Sequence, residues 1–183
     1  MRRIALSQRI VYHKGRAYDA TEHAWYKLLL GHTLFFLPNT LDQDFDKIAD
    51  HVESFIITGG DDSTLRRTVE LKLAGKMMQR NKPVVGVCHG AFLLGETLGC
   101  TIQEIPKHMD VEHYIMYHGE AIKVTSHHSL GITKMHETGQ ILCLADTGEV
   151  EAFIDGKVAG IVWHPERMEK PWIPPEIALL LGI

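Results

Sequence analysis

Between residues 55 and 98 the chain switches twice from a short, unbroken apolar run to a helical pattern. Phe55-Ile56-Ile57 is apolar at every position and leads into Gly59-Gly60; Val84-Val85-Gly86-Val87 repeats the pattern and leads into Cys88. A strand with no polar alternate positions is covered on both faces, as in a parallel sheet packed between helices. Residues 63–80 read as a long helix, with Leu65, Val69, Leu73 and Met77 at four-residue spacing and Asn81-Lys82-Pro83 as its stop. Residues 91–98, closed by Gly99, read as the next helix. Few topologies accept this order, because parallel strands need a long, right-handed crossover that lies on a sheet face.

The flanking sequence extends the pattern. Ile4-Ala5-Leu6 and residues 34–37 read as strands. Residues 19–30 between them read as a helix, with Asp19 and Glu22 as a capping box, an apolar face of Ala24, Trp25, Leu28 and Leu29, and Gly31 as C-cap. Residues 42–51 form a polar helix pattern carrying Phe45, Ile48 and Ala49. The second half changes character: residues 121–126, 140–144, 150–154 and 157–163 look like strands, and Asp155-Gly156 is a hairpin signal. Pro174-Pro175 opens a short last helix. The expected fold is α/β: one doubly wound, mainly parallel sheet with helices on both faces and an antiparallel hairpin region in the C-terminal half. With 183 residues and no linker or repeat, residues 1–183 are expected to form a single domain.

Composition narrows the partners. The formal charge is −4 with no basic run, so nucleic acid is not expected. No apolar run approaches the roughly 18 residues that cross a bilayer, and the N-terminal residues do not read as a signal peptide. Three cysteines, an odd number, do not make a disulfide framework, so a cytoplasmic, reducing setting is expected. Twelve histidines bring both metal binding and acid–base catalysis into question.

Gly86-Val87-Cys88-His89-Gly90 is a Gly-x-Cys-x-Gly sequence between a buried strand and a helix, the context of a nucleophile elbow. Small neighbours are needed because the turn is crowded. The helix starting just after the sulfur is expected to lower the Cys88 pKa, and the His89 N–H to face a developing oxyanion. A thiol nucleophile needs a base, and the base an orienting group. His164-Pro165-Glu166, directly after a strand, supplies both types of side chain. Gly60, ending the neighbouring strand, is a candidate second oxyanion donor.

Four segments together resemble the class I glutamine amidotransferase family: Ile57-Thr58-Gly59-Gly60, Gly86-Val87-Cys88-His89-Gly90, Val124-Thr125-Ser126-His127-His128 and Gly160-Ile161-Val162-Trp163-His164-Pro165-Glu166. The resemblance implies a flavodoxin-like fold, with Cys88 as nucleophile, His164 as general base and acid, and Glu166 as its orienter. It implies backbone donation to the oxyanion from Gly60 and His89, and places Gly59, Ser126 and His128 around a glutamyl group. Three positions depart from the family pattern: Phe92 replaces a common Gln, and Ser129-Leu130 replace His-Gln. Gly59-Gly60-Asp61-Asp62 and Ser7-Gln8-Arg9 resemble the free-standing hydrolase branch, including hydrolases of γ-glutamyl nucleotide amidates. There Gln8 and Arg9 would sit at a strand's C-terminal end, and Arg9 would hold a phosphate or carboxylate.

His108, His113 and His118 recur at a five-residue spacing that suits neither a helix face nor a strand face, so a loop near the pocket is expected rather than a metal site. His127 is expected to face solvent beside His128. His13, His23, His32, His51 and His136 are expected on the surface, and Cys100 and Cys143 in the interior. No cofactor is expected. The leading functional expectation is hydrolysis of a γ-glutamyl amide through a Cys88 thioester. The alternatives are a glutaminase subunit feeding a separate synthetase, whose ammonia would leave with that partner, and a catalytically silent binding module. The short end after Gly182 is expected to leave little room for the family's longer final helix.

Overall fold

The computed structural model describes residues 1–105 and 109–183. Its strands are β1 (Arg3–Ser7), β2 (Arg9–His13), β3 (Arg16–Ala20), β4 (Thr33–Leu37), β5 (Ser54–Ile57), β6 (Val84–Val87), β7 (Thr101–Glu104), β8 (Met109–Tyr117), β9 (Glu120–His127), β10 (Leu130–Lys134), β11 (Gln140–Ala145), β12 (Val150–Asp155) and β13 (Val158–Ile161). The helices are α1 (His23–Leu28), α2 (Phe45–His51), α3 (Thr64–Gln79), α4 (His89–Leu98) and α5 (Pro175–Leu181).

Eleven of the strands share one mixed sheet, with the path β4-β1-β5-β6-β13-β12-β11-β8-β9 and with β10 and β7 branching from β12. From β4 to β13 every pairing is parallel. From β13 to β9 every pairing is antiparallel, starting at the Asp155-Gly156 hairpin. Alternation along β1 and β5 builds two cores. Ala5, Phe55 and Ile57 face α2, α3 and α4, whereas Ile4, Leu6 and Ile56 face α1 and α5. This is the α/β arrangement with helices on both faces. No helix among the described residues is long and apolar enough to cross a membrane.

Several local expectations fail for identifiable reasons. Residues 19–30 are not one helix: α1 spans only His23–Leu28, and Asp19 belongs to β3. The Asp19 carboxylate bonds the Asn39 side chain at 2.6 Å rather than capping a helix, and the N-cap Glu22 makes no side-chain cap bond. β2 and β3 form a separate hairpin closed by Lys14-Gly15, both at positive φ, which matches the twist of a two-residue turn. His113 lies on β8 and His118 in the β8–β9 turn, so neither sits in a pocket loop; His108 lies outside the described residues. On α3, Leu65 is exposed, because 3.6 residues per turn carry a strict four-residue spacing off the face. The buried stripe there includes Arg66 and Glu70 instead. His13, His23 and His51 are exposed, while His32 and His136 are half-buried.

Candidate active site

The candidate nucleophile and base come from adjacent parallel strands. Val87 of β6 is in register with Ile161 of β13, and the Cys88 N–H donates to the Ile161 carbonyl at 2.8 Å. Cys88 therefore stands just beyond β6, and His164 three residues beyond Ile161, at the same C-terminal edge where α/β sheets bind ligands. Cys88 adopts φ 52° and ψ −104°. Holding a non-glycine residue there costs about 1–3 kcal/mol and needs surroundings that over-determine it. The glycines supply them. A Cβ on Gly86 would overlap the Gly90 carbonyl, and a Cβ on Gly90 would overlap the Ile57 carbonyl of β5. The elbow is thus wedged against two strands with no room for a methyl group.

His164 is almost fully buried, and its Nδ1 lies 2.7 Å from Glu166 Oε1. Glu166 sits in a 3-10 turn, Pro165–Arg167, that Pro165 starts. The carboxylate accepts a hydrogen bond from the Nδ1–H, which leaves Nε2 as the nitrogen open to proton exchange. The imidazole lies on Gly59, where a side chain would overlap it. The ring of His127 meets it edge-on, with centroids 5.6 Å apart. His127 therefore does not simply face solvent: it ends β9 and borders the pocket together with His128. Strand alternation stops applying where the strand stops.

A cavity of roughly 700 Å³ opens at Cys88 and His89. Phe92 and Leu93 of α4 form one wall, the Gly60-Asp61-Asp62 loop and Arg67 another, and residues 127–130 a third. Burial pushes the Cys88 thiol up to about 11, outweighing a hydrogen bond from the His89 backbone. The sequence-level expectation of a lowered pKa is thereby reversed: desolvation of the thiolate exceeds the help of the helix N-terminus. At that value Cys88 rests as a thiol, so action as a nucleophile would require a base. Cys143, buried, is pushed up to about 12. Cys100 is half-buried, not interior, and borders the cavity.

The expected substrate-binding residues separate. Gly59 and Gly60 lie at the site, the latter at φ +119°. His128 is buried and donates from Nδ1 to the Leu130 carbonyl at 2.7 Å, with its ring 5.8 Å from that of Phe92. Ser126, in contrast, is fully buried and does not line the cavity; its Oγ lies 2.8 Å from His113 Nδ1. His113 Nε2 and His128 Nε2 stand 3.7 and 3.8 Å from Glu151 Oε1. Glu151, on β12, is buried, and burial pushes its carboxyl up to about 8. The Gln8 carbonyl accepts from the Asn39 side chain at 2.9 Å. The Arg9 guanidinium would meet a Cβ on Gly60 at 3.1 Å, so it borders the site, but it is paired with Glu22. Arg167 binds the same carboxylate at 2.9 Å, and that bond holds Glu22 below the usual carboxylate range. Among the described residues, no three His, Cys, Asp or Glu side chains are grouped to hold a metal ion.

Sequence reading missed Arg66, Glu70 and Glu151, and misplaced His113 and His127. For Arg66 and Glu70 a signal exists: they fall on the stripe of Val69, Leu73, Ala74 and Met77, where charges are out of place. For Glu151, on a strand otherwise apolar from Val150 to Ile154, the same signal exists but is weaker.

The profile of the family described as glutamine amidotransferase class-I matches residues 20–175. A glutamine amidotransferase-like protein of Lactococcus lactis, YvdE, is 26% identical, with 75% of each chain covered. Among solved structures, a Thermoplasma acidophilum protein described as a GMP synthase subunit has a TM-score of 0.70 at 16% identity, covering 92% of this chain and 86% of that one. A glutamine amidotransferase from Thermotoga maritima has a TM-score of 0.69 at 13% identity, covering 90% and 76%. At such identities the two structures show a shared fold, while the profile spans most of the chain: this protein belongs to the class I glutamine amidotransferase family.

Proposed function

We propose that this chain hydrolyses a γ-glutamyl amide whose leaving amine is larger than ammonia. The observation that supports this is the cavity of roughly 700 Å³ at Cys88, with Phe92 in its wall. That volume lies in the range of pockets that enclose drug-sized ligands. It exceeds what an ammonia leaving group requires. Cys88 Sγ attacks the γ-carbonyl carbon as its proton passes to His164 Nε2. The oxyanion takes backbone hydrogen bonds from Gly60 and His89. Collapse breaks the C–N bond, and His164 returns the proton to the leaving nitrogen. Water then attacks the thioester, its proton going to His164, and glutamate leaves as the thiol is restored. Glu166 holds Nδ1 throughout and stabilises the imidazolium. His128 contacts the glutamyl end. Arg9, beside Gly60, is the candidate for an anionic part of the leaving group, such as the phosphate of a nucleotide amidate, provided Glu22 releases it. Three free cysteines suit a reducing, cytoplasmic setting.

The test is glutamate release from a panel of γ-glutamyl amines, γ-glutamyl phosphoramidates and glutamine. Wild type should favour a bulky leaving group, and Cys88→Ala should lose release by at least about a thousandfold. Full activity in Cys88→Ala would overturn the reading. A glutaminase subunit is the second reading, favoured by the fold shared with the protein described as a GMP synthase subunit. It predicts that glutamine is the best substrate and that a co-purifying synthetase accelerates its hydrolysis. No labelling of Cys88 by a thiol-reactive γ-glutamyl analogue would favour the silent binding module.

A further inference from the structure

Arg66 and Glu70 are one turn apart on α3, and both side chains are completely shielded from solvent. A buried ion pair is a poor source of stability, because desolvation offsets most of the attraction. Its contacts run outward to the active site. Arg66 Nη2 donates to the Thr58 carbonyl at 2.6 Å and to the Gly59 carbonyl at 3.3 Å. Nη1 donates to the Asp61 carbonyl at 3.0 Å, so one guanidinium spans the Gly59-Gly60 turn. Nε donates to Glu70 Oε1 at 2.8 Å, and Glu70 Oε2 lies 2.8 Å from His89 Nε2. An unbroken chain of hydrogen bonds thus joins the loop after β5 to the first residue of α4.

The ends of this chain are the two candidate oxyanion donors. The Gly59 carbonyl and the Gly60 N–H belong to one planar trans peptide and point in opposite directions. By holding the Gly59 oxygen, Arg66 fixes where the Gly60 N–H points. Gly60, at φ +119°, carries no side chain that could lock its peptide in place. Glu70 does the same for His89 by anchoring its ring. We propose that Arg66 and Glu70 are positioning residues that set the Gly60 and His89 backbone donors relative to each other, so that the oxyanion hole is organised before substrate arrives. Charge-assisted bonds suit this task because they are short and directional. The inference rests on the hydrolase reading above. His89 matters through its side chain as well as its backbone.

The test compares His89→Leu, His89→Gln and Glu70→Gln with wild type, using γ-glutamyl-p-nitroanilide as substrate. A γ-glutamyl aldehyde serves as a reversible probe: its carbon bonds Cys88 Sγ and its oxygen takes the thiol proton, occupying the oxyanion position. His89→Leu should lower kcat by about tenfold to a hundredfold with KM within threefold, as expected for a loosened oxyanion donor. Aldehyde affinity should fall by a similar factor, while affinity for glutamate stays unchanged. His89→Gln, whose amide can still donate to Glu70, should recover most of the loss. Glu70→Gln should resemble His89→Leu; it leaves Arg66 charged and buried, so the His89 variants carry the test if it fails to fold. A loss confined to KM, equal losses of aldehyde and glutamate affinity, or no rescue by Gln would overturn the proposal. If wild type turns over the substrate and all variants match it, the positioning role alone falls. If wild type releases no glutamate from any γ-glutamyl compound, the hydrolase reading falls and takes this one with it.

Discussion

The parallel and antiparallel halves of the sheet meet at β13 and supply the site by different means. In the parallel half, the loops after β5, β6 and β13 bring Gly59-Gly60, Cys88 and His164 to one edge. Position there is set by main chain packed against main chain, as where Gly90 abuts the Ile57 carbonyl. In the antiparallel half, His127, which ends β9, and the following His128 border the cavity, and His128 is backed by a polar cluster of Ser126, Glu151 and the half-buried His113. The outer faces of β8 and β9 carry exposed groups such as Lys123 and Glu112, paired at 2.7 Å. At Gly59, Gly86 and Gly90 the first half has no room for a methyl group, and the second holds a buried, raised-pKa carboxyl in Glu151. At the site, steric control thus rests on the parallel half, while electrostatic control runs through both, with Arg66, Glu70 and His89 in the first and Glu151 in the second.

The largest test of that division is Gly90→Ala. Its methyl group has no space, and we expect a loss of about 3 kcal/mol or more and at least about a hundredfold in activity. Thermal melting should drop by roughly 6–12 °C, on the scaling for a domain of this size. A tolerated methyl group would break the steric half of the comparison. The next test is Glu151→Gln. Its folded pKa of about 8 lies above the ordinary value of 4.5, so the folded state holds the proton more tightly than the unfolded one. Its contribution is fully present below about pH 4.5 and is lost as pH rises through about 8. Denaturant titrations should show wild-type stability falling over that window by up to about 1.4 kcal/mol per pH unit, and Gln should flatten the slope. Equal slopes would remove the electrostatic half. The smallest effect is a shift in a rate profile. Because burial raises Cys88 to about 11, iodoacetamide alkylation of the free protein should keep accelerating past the ordinary thiol value of 9. A plateau near neutral pH would mean that His164 holds the thiolate as an ion pair.

The unbroken apolar runs at residues 55–57 and 84–87 made the parallel half legible, because a doubly covered strand leaves no other use for such residues. Gly86 and Gly90 marked the elbow for the same reason: a crowded turn shows itself in residue size. The β2–β3 hairpin was harder. Its two faces, Ile10, Tyr12, Ala17 and Asp19 on one and Arg9, Val11, His13, Arg16, Tyr18 and Ala20 on the other, each mix polar and apolar residues, since this ribbon packs little of itself against the core. Asp19 looked like a helix cap because local sequence cannot tell a cap from an edge contact; Asn39, far along the chain, decided it. Ser126 proved fully buried away from the cavity and His127 proved to border it, for a similar reason. Whether a residue at the end of β9 faces inward depends on where the strand stops.

By itself the sequence determined the layered α/β fold and the elbow, and marked His164-Pro165-Glu166 as a candidate partner for Cys88. The fold and the elbow follow from local rules, apolar periodicity and glycine where backbone crowds backbone, whereas the pairing of β6 with β13 that sets Cys88 near His164 came from the tertiary structure. Only the tertiary structure decided the state of the thiol, the pairing of Arg9 with Glu22, and the path from Arg66 through Glu70 to His89. These depend on burial and on partners distant in sequence. The energy of a charge is set by its surroundings, which the residue's own neighbours along the chain do not specify.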